Sequence, residues 1–320
     1  MRRLLAVLAI ILALPLGYYV YVNPERVTLD DLGRAEVAGQ YIALSAGVTR
    51  YEVAGPDTGR VAVLIHGFSV PSYIWDSTFH ALSLAGHRVI RYDLFGRGWS
   101  DRPDAAYDGA FYDAQLGELL DSLRVAGPVD LFGLSFGGFV AAHFASTHPQ
   151  RVRTLVLVDP VTASAQSPKY LATPVIGRAL WQTMVVPTMD DNQASDFLHP
   201  ENFPGWAERY RPQMRFRGFG RALLRSRLQL GTADFPAIYA KIAQWGTPVL
   251  LVWGKQDQTL AIADAENLTR AIPNAEFFPV DSAGHLPHLE QTTAFNARMF
   301  AFFAAHPVEP AATVSPASSR

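Results

Sequence analysis

Two short runs in this chain, Val61-Ala62-Val63-Leu64-Ile65 and Leu155-Val156-Leu157-Val158, contain no polar side chain. A strand with one wet face alternates apolar and polar residues, so an unbroken run predicts a strand covered on both faces. Those runs fall within strand candidates at residues 61–66 and 154–159. Six more candidates lie at 41–45, 49–54, 88–93, 129–134, 248–254 and 276–281. The first two are mixed in polarity and separated by Gly47, which predicts an antiparallel opening hairpin. Helical patterns fill the later gaps. Tyr112, Leu116, Leu119, Leu120 and Leu123 fall on one apolar helix face, and residues 136–147 and 260–271 read as helices following strands. This alternation predicts an α/β fold with a mostly parallel sheet and helices on both faces.

The rhythm breaks between Val161 and about Trp245. That stretch is rich in aromatics and methionines, among them Trp181, Met184, Met189, Phe203 and Trp206. It reads as a helical insertion over 162–245, set between core segments 38–161 and 246–305. An insertion over a site must present an apolar underside, so Trp181 and Met184 are expected to join Phe68 in binding substrate. The insertion also carries Arg217, Arg221 and Arg225, four apart and hence on one helix face. They read either as a solvated face or as contacts for anionic head groups.

Composition narrows the functional classes. A hydrophobic fraction of 49% with 18% charged residues is that of a chain that buries a core. A net charge of −2 gives no electrostatic reason to expect nucleic acid as a partner. The absence of cysteine removes thiolate nucleophiles, disulfides and cysteine-based metal sites.

The N-terminus differs in kind. Arg2 and Arg3 precede an uncharged run over residues 4–22, long enough to cross a bilayer core of roughly 30 Å as a helix. Its tyrosine-rich exit, Tyr18-Tyr19-Val20-Tyr21, favours an uncleaved signal-anchor over 1–26, and a cleaved signal peptide is the alternative. The two arginines would stay inside and send the rest of the chain to the extracytoplasmic side, anchored or secreted. Residues 306–320, with almost no large apolar side chain, are expected to be disordered.

The chemistry is concentrated in Gly133-Leu134-Ser135-Phe136-Gly137, which follows an apolar strand and opens a helical stretch. In such an elbow the nucleophilic serine sits on a strained turn that only tiny neighbours permit. Serine needs a base, and the base an orienting carboxylate. Asp257 follows the strand ending in Trp253-Gly254, and His285 follows the last strand, giving the order Ser135, Asp257, His285 at the C-terminal ends of strands. Asp159 is the rival acid and His288 the rival base. His66-Gly67-Phe68-Ser69 marks the loop that supplies a second oxyanion donor, so the backbone N–H groups of Phe68 and Phe136 are the expected pair. The His66 side chain is expected to be structural.

Taken together, His66–Ser69, the Asp93-Leu94-Phe95-Gly96-Arg97-Gly98 block, Gly133–Gly138, Trp253–Asp257 and Gly284-His285 resemble the α/β-hydrolase superfamily over about residues 40–305. The resemblance implies an eight-stranded sheet, a cap inserted after the sixth strand, and acyl-enzyme chemistry without metal or organic cofactor. It further implies a small-molecule ester or acylglycerol as substrate, as in carboxylesterases and monoacylglycerol lipases. Carbon–carbon bond hydrolases and perhydrolases of the same fold are alternatives, as is a ligand-binding protein that has kept the fold.

Overall fold

A computed structural model of the chain describes residues 13–14, 17–164 and 167–307. Eight strands form one sheet: β1 (Gln40–Leu44), β2 (Gly47–Ala54), β3 (Val61–Ile65), β4 (Arg88–Tyr92), β5 (Val129–Leu134), β6 (Val152–Val158), β7 (Val249–Gly254) and β8 (Glu276–Val280). Their spatial order is β1-β2-β4-β3-β5-β6-β7-β8. β1 and β2 pair antiparallel as the opening hairpin, β2 meets β4 antiparallel, and every later pairing is parallel.

The unbroken apolar runs form the middle of the sheet because both faces are covered. Val63, Ile65, Leu131, Leu155 and Leu157 turn to one side, beneath α2 (Gly109–Ser122) and α3 (Phe136–Thr147). Ala62, Leu64, Phe132, Val156 and Val158 turn to the other, where α1 (Asp76–Leu84) and the C-terminal helix Thr292–Ala305 lie. In α2, Tyr112, Leu116, Leu119 and Leu120 are all buried, as their spacing predicts, and Leu123 closes the helix. The helix expected over 260–271 begins later, at Ala263, because Leu260 is drawn into the turn that holds Asp257.

Between β6 and β7 the described residues are helical or irregular, with α4 (Phe219–Leu230) and α5 (Phe235–Trp245) the longest elements. We refer to this insertion as the cap. Polar clips fasten it to the core. Gln213 accepts from Gly98 N–H at 2.8 Å and donates to the Ser69 carbonyl at 2.9 Å. Arg221 donates to the Arg102 carbonyl at 2.6 Å, and Arg225 donates to the Ala105 carbonyl at 2.7 Å and pairs with Asp104. Two of the three arginines of the expected stripe, Arg221 and Arg225, thus staple α4 to the loop after β4, whereas Arg217 is exposed and precedes the helix, so the three do not share one helix face.

A further clip comes from the N-terminal side. Glu25 accepts from Gly218 N–H at 2.5 Å and from Gly220 N–H and Gln182 Nε2 at 2.8 Å. Gly218 has no side chain to cap α4, and this carboxylate fills that role from a distant segment, where the helix dipole favours an anion. Residues 23–28 thus belong to the cap's packing, although the sequence places 23–26 with the anchor. Most of the expected anchor, residues 1–12 and 15–16, lies outside the described residues, as does the tail beyond Pro307. No described helix is long and apolar enough to cross a membrane.

Candidate active site

Ser135 joins β5 to α3 at φ +51° and ψ −116°, a conformation few residues other than glycine adopt. Its neighbours must be glycine for steric reasons. A Cβ on Gly133 would stand 2.3 Å from the Gly137 carbonyl oxygen, and one on Gly137 would stand 2.4 Å from that of Ile65. The elbow is pinned from β6, since Ser135 N–H donates to the Val158 carbonyl at 2.9 Å and Val161 N–H donates back to the Ser135 carbonyl at 3.1 Å. The strain is held in place by backbone on both sides.

A cavity of about 570 Å³ lies over Ser135 and is also lined by Phe68, Phe136 and His285. His285 Nδ1 donates to Asp257 Oδ2 at 2.7 Å, with both side chains shielded from water. That bond leaves Nε2 as the atom able to take a proton. Burial alone would lower the imidazole's pKa, but the Asp257 charge and hydrogen bond overcome it and raise the value above the ordinary 6.5. Asp257 moves the other way. Burial would raise it, yet His285 and the turn amides hold the carboxyl below its usual range. Those amides, Thr259 and Leu260 N–H, donate to Oδ1 at 2.7 and 2.9 Å.

The rival acid has a different part. Asp159, at φ +41°, accepts from Gly254 N–H at 2.9 Å through Oδ1 and is fully buried. Polar atoms of Asp159, Asp257 and His285 lie within 4.8 Å of one another. Burial first, and then the neighbouring Asp257 charge, push the Asp159 carboxyl well above the normal range. It is the imidazole of His285 that pairs with Asp257. This cluster reads as a hydrogen-bonded set and not as a metal cradle, because its 2.7 Å N–O separation is shorter than the roughly 3.3 Å between two tetrahedral ligands of one cation.

His66 and His288 have structural parts. His66 is fully buried, bonds the Gly67 carbonyl through Nδ1 and accepts Leu94 N–H through Nε2, both at 2.9 Å. Burial lowers its pKa to about 4, so it stays neutral and ties the oxyanion loop to the loop after β4. His288 bonds the Ile74 carbonyl at 3.0 Å and packs against Trp75, and burial lowers its pKa to about 3. It does not line the cavity.

Phe68 and Phe136, whose backbone N–H groups are the expected oxyanion donors, meet edge to face with ring centroids 5.9 Å apart. Behind them lies Arg97, fully buried, donating to the Phe68 carbonyl at 2.8 Å and to the Tyr112 hydroxyl at 2.5 Å. Its guanidinium stands 5.1 Å from the Phe136 ring. It also donates to the Phe95 carbonyl at 3.1 Å, so it braces the backbone behind the two phenylalanines from a buried position that does not itself line the cavity. The sequence offers no signal for this role, because Arg97 sits inside a turn block whose glycines explain its pattern.

The expected substrate contacts need correction. Trp181 is buried within the cap and donates from Nε1 to the Gly220 carbonyl at 2.9 Å, and Met184 faces solvent. Neither lines the cavity. Val185 and Met189, one position and five positions past Met184, do so instead. Trp181–Val185 form a π-helical turn, which residue type and spacing do not mark in the sequence. Sequence reasoning also missed the cap's hold on the base. His285 N–H donates to the Asp196 carbonyl at 2.9 Å, and Glu290 accepts from Gly284 and Leu198 N–H at 2.7 Å each.

Comparison with known proteins agrees with this geometry. The family model described as alpha/beta hydrolase fold matches residues 61–292. Lipase 1 of Psychrobacter immobilis is 29% identical over 288 residues, covering 86% of this chain and 88% of that protein. A Bacillus subtilis protein bearing the name of a 2-succinyl-6-hydroxy-2,4-cyclohexadiene-1-carboxylate synthase is 29% identical over 277 residues, covering 79% of this chain and 94% of its own. Among solved structures, the enol-lactonase of Burkholderia xenovorans LB400 superposes with a TM-score of 0.72 at 22% identity, covering 83% of this chain and all of that one.

Proposed function

This chain belongs to the α/β-hydrolase family, and from that premise we propose that it hydrolyses carboxylic esters through an acyl-enzyme formed on Ser135. The observation that carries the reading is the strained Ser135 elbow sharing one cavity with a His285 whose Nδ1 is held 2.7 Å from Asp257. His285 Nε2 takes the hydroxyl proton as Ser135 Oγ attacks the acyl carbon, and the carbonyl oxygen becomes an oxyanion between the N–H groups of Phe68 and Phe136. The tetrahedral adduct collapses, the alcohol leaves with the proton from His285, and water then repeats the sequence on the acyl-enzyme.

The cavity wall supports an amphiphilic ester. Val161, Val185, Met189 and Leu230 give it an apolar side suited to an acyl chain. Ser164 and Asp264, hydrogen-bonded to each other, give it a polar side suited to an alcohol bearing hydroxyl groups. A p-nitrophenyl ester series of increasing acyl length tests this directly. Turnover that peaks at medium chains and vanishes in Ser135→Ala is expected. Inert esters combined with active cleavage of a vinylogous diketone would move the chain to carbon–carbon hydrolysis.

For localisation, the uncharged run after Arg2 and Arg3 supports a signal-anchor with the hydrolase domain on the extracytoplasmic side. Flotation of full-length protein with membranes, with an intact N-terminal peptide found by mass spectrometry, is the expected result. A mature chain starting after residue 22 would show secretion instead.

A further inference from the structure

The N-terminal strap ends at a cap surface that is apolar and open. Gln182 Nε2 donates to Asn23 Oδ1 and Glu25 Oε1, both at 2.8 Å, so the first residues after the uncharged run are locked to the helical stretch Ile176–Val185. The outer side of that stretch carries Ile176 and Met184, 61% and 64% exposed, preceded by Val175 at 80%. Tyr170, also exposed, lies in the turn that packs on the start of this stretch, its carbonyl oxygen 2.7 Å from where a Cβ on Gly177 would stand. Tyr18 and Tyr21, on the short described helix leading into the strap, are likewise exposed. Single exposed apolar residues are ordinary, but a cluster of large ones beside a fixed chain entry is not.

Charge points the same way. Residues 167–188 contain two basic residues, Lys169 and Arg178, and no acidic one. Both basic residues are exposed. An apolar face flanked by cations, with tyrosines beside it, has the composition of a surface that sits at the head-group level of a bilayer. The chain supplies the bilayer itself if residues 4–22 are embedded, because the run ends one residue before Asn23.

We propose that Tyr170, Val175, Ile176 and Met184 dock the cap onto the lipid surface in which the N-terminal run is embedded. The inference rests on the signal-anchor reading. It gives the strap a function beyond tethering, because a flexible leash would let the domain tumble, whereas Glu25 and Asn23 fix which face meets the lipid. Val185 lines the cavity from the same helical stretch and Met189 lines it four residues further on, so docking places the acyl side of the site next to the membrane. An amphiphilic ester could then pass from bilayer to cavity without its chain crossing water.

The lack of cysteine makes a clean test possible. Full-length Ile176→Cys, Met184→Cys and Leu84→Cys, each labelled with an environment-sensitive fluorophore, are reconstituted in phosphatidylcholine–phosphatidylglycerol vesicles with or without nitroxide-labelled lipid. Leu84 is the control, being 88% exposed at the end of the sheet where β4 starts, opposite the Ser135 elbow. Flotation with the vesicles and several-fold stronger quenching at 176 and 184 than at 84 are expected. Flotation with equal quenching at all three overturns the docking and leaves the anchor standing, and it would leave a second copy or another protein as the occupant of the face. Failure to float removes the anchor and the docking together. As a second arm, Val175→Ser with Ile176→Ser should slow hydrolysis of a vesicle-borne monoacyl ester several-fold while p-nitrophenyl acetate turnover stays unchanged. Equal rates on both substrates would count against docking.

Discussion

The floor and the roof of the cavity are held by different forces. Backbone fixes the floor: Ser135 is clamped between β5 and β6 by main-chain hydrogen bonds, and its glycines by the absence of room for a Cβ. Individual side chains fix the roof. Glu25, Gln213, Arg221, Arg225 and Glu290 each clip the cap or its strap in place. A floor made this way keeps its geometry through most substitutions, whereas a roof made of clips can be re-posed one clip at a time. Chemistry belongs to the first region, and choice of substrate to the second.

The largest expected effects therefore lie in the floor. Ser135→Ala should lower kcat by about 10⁴-fold or more with the Tm little changed, since only the nucleophile is lost. Asp257→Asn should cost about 10³- to 10⁴-fold by misplacing the imidazole proton. It should also move the acid limb of the kcat/KM profile. His285 works only as the neutral base, and its pKa is raised, so wild-type activity should fall as pH drops through a value above 6.5. With the carboxylate gone, that limb should shift to lower pH. A limb that stays put would separate His285 from Asp257 functionally.

A smaller effect is expected in the roof. Glu25→Ala removes an anionic cap and three accepted hydrogen bonds, and should lower Tm by about 3 °C. Because the strap touches no reacting atom, KM for long-chain esters should rise while kcat holds. A fall in kcat without a change in KM would mean the roof reaches into the chemistry, breaking the division drawn above.

How readily each region could be read from sequence follows the same division. All eight strands fall within a few residues of their expected positions; burial on both faces leaves an uninterrupted apolar signal in the central ones, and the turn residues and alternation mark the half-exposed edge strands. Ser135, Asp257 and His285 were legible since an elbow and two strand exits constrain residue type and order. Aromatic and methionine content marks the cap as apolar but not which of its residues face the cavity, so Trp181 and Met184 lie elsewhere while Val185 and Met189 line it. Arg221 and Arg225 have helical spacing and do lie in α4, yet their partners, Asp104 and the carbonyls of Arg102 and Ala105, lie more than a hundred residues away in sequence. Clips between distant segments leave no periodic trace.

The smallest effect sharpens the floor itself. Asp159→Asn should keep activity within about threefold, since the amide oxygen can still accept from Gly254 N–H and the substitution leaves Asp257 and its bond to His285 in place. Its stability effect has a definite sign. A raised carboxyl pKa means the folded state holds the proton more tightly, so wild-type stability declines as pH rises above 3.8 towards the folded value. The asparagine variant lacks that decline and should be no less stable at pH 8. A loss matching that of Asp257→Asn would make Asp159 the working acid.

The most direct test of the central claim is covalent capture of the nucleophile. Folded protein treated with a fluorophosphonate should gain one adduct, mapped by peptide mass spectrometry to Ser135, and His285→Ala should label far more slowly. Folded protein that stays unlabelled, or that carries the adduct on another serine, would contradict the account.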